Sequence, residues 1–160
     1  MAGKRTIASV VGAAAATLIL ATTPKWEGNR PVGYVDIAGV PTKCYGDTRD
    51  VVVGHRYTDA ECRESLNSAL VDNALPVMDC LPEIADNPYI LAAAVDSAYN
   101  AGPYALCRSQ AADLWRQGKW REGCEALRGW RVTIHKGKTR VRGLVNRRDA
   151  VADLCLRGVQ

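Results

Sequence analysis

Six cysteines, at positions 44, 62, 80, 107, 124 and 155 of a 160-residue chain, constrain its folding more than any other feature. The set is even, contains no C-x-x-C pair, and neither His55 nor His135 stands at zinc-finger spacing from any two of them. Zinc needs four ligands at one point, usually supplied as closely spaced pairs, so no metal site and no cofactor are expected. Three disulfides formed in an oxidising compartment suit the set better. From the residues alone, all 15 connectivities that six cysteines allow stay open.

The N-terminus points to export independently. Lys4 and Arg5 precede an uncharged run over residues 7–23, the order of a basic flank and an apolar segment. Only Ile7, Val10, Val11, Leu18, Ile19 and Leu20 in that run are strongly apolar; the others are Ala, Gly, Ser or Thr. As one helix the run would reach about 25 Å, short of a hydrocarbon core of about 30 Å, so a bilayer would hold it weakly. It reads as a cleaved signal peptide, as an uncleaved anchor that later leaves the bilayer, or as an Ala-rich core helix. The first is allowed by Ile19-Leu20-Ala21, a tolerable cleavage site. The anchor is favoured by spacing, because cleavage near Ala21 would leave Glu27 in a ragged first turn. The core-helix reading ranks last, since it makes the basic flank and the even cysteine set coincidences.

The remainder has the length of one domain, with no repeat, low-complexity tract or linker. Residues 119–160 hold 11 Lys/Arg and 4 Asp/Glu, so this stretch carries +7 and the rest −3 of the overall +4. Such asymmetry suits a polyanionic partner: nucleic acid, a membrane surface or an anionic wall. The basic run at 136–142 lacks the interleaved aromatics of a nucleic-acid reader and is taken as a solvated loop. Trp115, Trp120 and Trp130 could stack on sugars, but aromatics at helical spacing more often fill a core.

Short β-prone pieces at 34–37 and 40–45 predict a hairpin. Thr58-Asp59-Ala60-Glu61 is a capping box opening a helix that Pro76 should bend or interrupt near its middle. Asn87-Pro88 starts a helix with Ile90, Leu91, Ala94, Val95 and Ala98 on its apolar face, stopped at Gly102-Pro103. Helices follow over 109–117, 120–127 and 145–156. The sum is a helical protein with one small sheet near its start.

Two carboxylates, Glu27 and Asp36, flank the glycine-punctuated hairpin. Glycosidic cleavage needs such a pair, one acid to protonate the leaving oxygen and one carboxylate to manage water. Alone, the pair is weak evidence, and a solvated loop with ordinary surface charges is the favoured reading. Glu-Gly at 27–28, Tyr34-x-Asp36-x-x-Gly39-x-x-Thr42, Cys44-Tyr45-Gly46-x-Thr48, Tyr57-Thr58-x-x-x-Cys62, Ala98-Tyr99-Asn100-Ala101-Gly102 and Gly143-Leu144-Val145-Asn146-Arg147-Arg148 together are more specific. This pattern resembles the phage-type lysozymes of glycoside hydrolase family 24, over nearly the whole chain after residue 23.

The resemblance implies an α+β, lysozyme-like fold, with a small N-terminal β-sheet lobe and a helical C-terminal lobe joined by a helix. It implies hydrolysis of the β-1,4 bond between N-acetylmuramic acid and N-acetylglucosamine in peptidoglycan, with inversion at the anomeric centre. Glu27 would be the general acid, Asp36 the carboxylate that positions water and Thr42 its hydroxyl partner. Arg147 would pair with the acid, and Tyr34 and Asn100 would line the cleft. Burial would raise the pKa of Glu27 and Arg147 would lower it, a balance the residues leave open. The implied disulfides are Cys44–Cys62, Cys80–Cys107 and Cys124–Cys155. Asp47 departs from the family, where many members have His; it either tunes the pH optimum or caps its turn, and turn preference favours the cap. Pro41 before Thr42 is a second departure.

Within the family the chain is similar to endolysins with a signal-anchor-release segment. Residues 1–23 would be the export signal or releasable anchor and 24–160 the catalytic domain. The protein would be exported to the host periplasm and first tethered to the inner membrane through residues 7–23. It would act as a monomer and bind no nucleic acid. The alternatives are a lytic transglycosylase, which can dispense with the second carboxylate, and a non-catalytic wall-binding protein.

Overall fold

The computed structural model describes residues 3–134 and 136–160. His135, discounted above as a zinc ligand, lies outside the described residues.

The N-terminal run folds into the body of the protein. It forms α1 (Ile7–Val11) and α2 (Ala13–Glu27), separated at Gly12, whose φ of 85° breaks the single helix the run could otherwise form. The break lets Ile7 and Val11 reach the core beside Ala15, Ala16 and Ile19. α2 passes through residue 23 without interruption and stops at Gly28, which takes a φ of 67° that side chains rarely tolerate. Glu27 is therefore the last residue of a helix rather than part of a loose leader. No helix among the described residues is long and apolar enough to cross a membrane.

Next comes an antiparallel hairpin, β1 (Arg30–Val35) and β2 (Pro41–Cys44), with Tyr34 opposite Thr42 and an irregularity between Arg30 and Tyr34. α3 (Asp59–Cys80) opens on the Thr58 capping box, the Thr58 hydroxyl accepting from Glu61 N and the Glu61 carboxylate from Thr58 N. The expected interruption at Pro76 does not occur. The helix continues to Cys80, because proline four residues from the end removes one donor and the surrounding turns retain theirs.

α4 (Pro88–Ala101) is the central helix, capped by Asn87 and buried at every position from Ile90 to Ala98. α2, α3 and α8 (Arg142–Leu156) pack around it. Between α4 and α8 lie α5 (Pro103–Cys107), α6 (Gln110–Arg116) and α7 (Trp120–Glu125). Trp115 is wholly buried, whereas Trp120 is partly exposed. The basic stretch differs from the solvated loop expected: β3 (Thr133–Ile134) pairs with β4 (Thr139–Arg140) in a second, exposed ribbon. Two-residue strands leave no alternation to read.

Three disulfides staple these elements. Cys44 at the end of β2 bonds Cys62 on α3, Cys80 at the end of α3 bonds Cys107 on α5, and Cys124 on α7 bonds Cys155 on α8. The fold is mixed α+β and lysozyme-like.

Candidate active site

Glu27 reaches its place because α2 ends where the body of α4 and the start of α8 meet. Arg147, on α8 and almost fully buried, donates from Nη1 to Glu27 Oε1 at 2.7 Å. The Glu27 side chain is 19% exposed, open enough to meet a ligand and closed enough to be poorly solvated. Burial raises its pKa and outweighs the opposing pull of Arg147, leaving a carboxyl that holds its proton above the ordinary carboxylate range. Of the two influences that the residues alone left open, burial is the larger here. Gly46, in the turn after β2, brings backbone against the acid: a Cβ there would stand 3.5 Å from Glu27 Oε2.

Asp36 and Thr42 occupy the hairpin leading to that turn. Asp36 Oδ1 accepts from the backbone N–H groups of Ala38 (2.8 Å) and Val40 (2.9 Å), which fixes one oxygen and leaves Oδ2 without a donor among the described residues. The Thr42 hydroxyl, buried, donates to Val40 O at 3.0 Å, so its lone pairs remain available as acceptors. Val40 thus links the two residues through its own peptide groups. Neither residue bonds directly to Glu27. Tyr34, across the ladder from Thr42, carries the Arg30 guanidinium over its ring at 3.9 Å.

Asn100 has another engagement, accepting from Arg148 Nη2 at 2.5 Å. Arg148 is fully buried, donates from Nε to Trp130 O, and is pushed down by burial and by its neighbour Arg147 to a pKa of about 10. Asp47 serves its turn: it accepts from Arg49 N (3.0 Å), Arg49 Nε (2.9 Å) and the Ser65 hydroxyl. Burial works to raise its pKa, but these hydrogen bonds prevail and hold it low.

Three residues at the site escaped the sequence reading. Asp96, completely buried on α4, accepts from Arg147 Nε and Nη2, both at 3.1 Å. Thr23, completely buried on α2, donates to Asp96 Oδ1 at 2.7 Å. The Tyr99 hydroxyl donates to Tyr45 O at 2.7 Å, and burial with nearby Glu27 and Asp47 raises its pKa. A signal for Asp96 was present, since a carboxylate inside an apolar helix must find a partner. Thr23 offered none. Among the described residues no His, Cys, Asp or Glu cluster could hold a metal.

Comparison with known proteins gives this geometry a setting. The sequence model of the phage lysozyme family matches residues 24–151. The SAR-endolysin of Pseudomonas phage phiKMV is 36% identical over 89% of this chain and 89% of its own length. An endolysin from Escherichia coli O157:H7 phage FAHEc1 superposes with a TM-score of 0.78 at 27% identity, covering 87% of this chain and 90% of the other. The active form of the P1 phage endolysin Lyz gives 0.76 at 25% identity, over 92% of this chain and 85% of that one. The secreted inactive form of the same endolysin gives 0.55 at 19% identity, over 94% and 97%.

Proposed function

This chain belongs to the phage lysozyme family and is a lysozyme-type glycoside hydrolase whose substrate is peptidoglycan, and on that premise we propose how its residues divide the work. Glu27 is the general acid that protonates the glycosidic oxygen between N-acetylmuramic acid and N-acetylglucosamine. Arg147 occupies Oε1, which leaves Oε2 as the oxygen to carry and give up the proton. Asp36 and Thr42 orient the attacking water. Asp36 Oδ2 accepts one of its hydrogens and the Thr42 oxygen the other, so that the water's lone pair faces the anomeric carbon. Tyr34 and the basic C-terminal stretch give the anionic wall a place to lie.

The observation that carries this reading is the buried contact of Arg147 with a carboxyl whose pKa is raised by burial. The test is turbidity clearing of outer-membrane-permeabilised cells. Glu27→Gln should lose at least about 100-fold in rate, the usual contribution of a general acid, and full clearing by that variant would end the reading. Products ending in reducing sugars support hydrolysis, and anhydro ends would mark a transglycosylase.

The protein is an endolysin for host lysis, exported to the periplasm and tethered to the inner membrane through residues 7–23 until they leave the bilayer. It acts as a monomer without nucleic acid. The names of its relatives support export by a signal-anchor-release segment. While the segment lies in the bilayer, Glu27 stays within about 6 Å of helical rise from the membrane face. It joins the cleft only after α1 and α2 dock, which couples lysis to depolarisation of the membrane.

A further inference from the structure

The guanidinium beside the acid is shared unequally. Arg147 gives two donors, Nε and Nη2, to Asp96 and one, Nη1, to Glu27. An arginine free to choose would turn a two-nitrogen edge towards Glu27 and hold it as a carboxylate, since paired donors favour the ionised form. Asp96 takes the Nε–Nη2 edge and so turns the guanidinium to give Glu27 Nη1 alone, and its charge offsets that of Arg147 in a buried site. Asp96 is in turn fixed by the Thr23 hydroxyl at 2.7 Å. Thr23 lies one helical turn before Glu27, so both side chains leave the same face of α2.

We propose that Asp96 and Thr23 are positioning residues for the acid: Asp96 sets the plane and balances the charge of the Arg147 guanidinium, and Thr23 fixes Asp96. Through this pair α2 makes a two-point connection with the site. It brings an acceptor, Glu27, to Arg147 and a donor, Thr23, to Asp96. Thr23 belongs to residues 7–23, so docking of that segment delivers the acid and completes the group that tunes it in a single event. This inference rests on the reading of Glu27 as general acid.

The charged groups that act on Glu27 are Arg147 from α8 and Asp96 from α4, and Tyr99 from α4 lies near it in turn. Of these, Asp96 is the carboxylate bonded to the arginine that holds the acid. A general acid works while protonated, so activity falls as pH rises through its pKa. Removing the Asp96 charge favours the ionised form of Glu27 and moves that fall to lower pH.

The experiment compares wild type, D96N, T23V, T23S and D96N/T23V in clearing assays across pH, each at temperatures below its measured melting point. In D96N the alkaline limb of kcat should move down by about one pH unit or more, with KM little changed. T23V should lose about tenfold in kcat, the worth of one hydrogen bond to a charged group, and T23S should restore it. In the D96N background T23V should cost less, since the amide oxygen can still accept from Thr23 but carries no charge. An unshifted alkaline limb in folded D96N overturns the role of Asp96. An undiminished T23V effect in the D96N background overturns the route through Asp96. If D96N does not fold, the T23V and T23S pair decides, and equal kcat in these two overturns the role of Thr23. Retained clearing by E27Q would instead remove the Glu27 reading, so the two failures are distinct.

Discussion

α2 and α4 are both alanine-rich helices packed against one another, yet the protein uses them oppositely. α4 is enclosed on all sides, buried without a gap from Ile90 to Ala98. α2 buries only Ala15, Ala16, Ile19 and Thr23, and leaves Ala13, Ala14, Leu20 and Ala21 exposed. Hydrophobic stabilisation scales with apolar area removed from water, and three of the four residues α2 buries are small. Composition alone therefore does not distinguish a permanent core helix from one held on a single face. α2 is apolar on its free side and buries mostly small side chains on its docked side, which suits a segment proposed to exchange a bilayer for a protein surface.

That contrast can be broken by mutation. Leu91→Ala in α4 should have the largest effect, about 4–5 kcal/mol in denaturant unfolding, because neighbours on every side keep the cavity from collapsing. Ile19→Ala removes an equally buried side chain from α2, but that helix can settle towards the vacancy from its open side. Its cost should be about 2–3 kcal/mol, with clearing activity lost in step because Glu27 rides on the same helix. Equal costs at the two positions would erase the distinction.

A smaller effect should come from Asn67 on α3. Its Oδ1 accepts from Ile7 N at 2.8 Å and its Nδ2 donates to Arg5 O at 3.0 Å, while Glu64 meets Lys4 nearby. Asn67→Ala should cost about 1–2 kcal/mol. It should speed hydrogen exchange in α1 and the start of α2 while α4 stays protected; faster exchange in both helices would show that they open together. The smallest effect on folding is expected for Ala13→Leu, Ala14→Leu and Ala21→Leu, within about 0.5 kcal/mol each. Combined in the full chain, these leucines should hold the protein in the membrane fraction and silence lysis. Full lysis from a membrane-bound chain would separate docking from activity.

Much of this was legible before any coordinates. The Thr58 capping box, the Asn87-Pro88 start of α4 and the hairpin were visible because caps, turns and two-residue periodicity act between near neighbours. Pro76 misled because a proline near a helix end sacrifices a single donor. The second ribbon was missed because its strands are too short to alternate. Glu27, Asp36, Thr42 and Arg147 stood out through a motif, whereas Thr23 looked like the polar end of an apolar run.

By itself, the amino-acid sequence determined the family, the helical class with a small hairpin, and which carboxylates were candidates, since these rest on local pattern and motif spacing. The tertiary structure alone decided that α1 and α2 pack on the body of this fold, that Asn100 accepts from Arg148 and Asp47 from Arg49 and Ser65, and that Thr23, Asp96, Arg147 and Glu27 join in one chain of hydrogen bonds. Burial, the sharing of one guanidinium and the resulting shift of a carboxyl depend on groups distant in the chain: Thr23 and Asp96 are 73 residues apart, Glu27 and Arg147 120. Such couplings exist only once α2, α4 and α8 have packed.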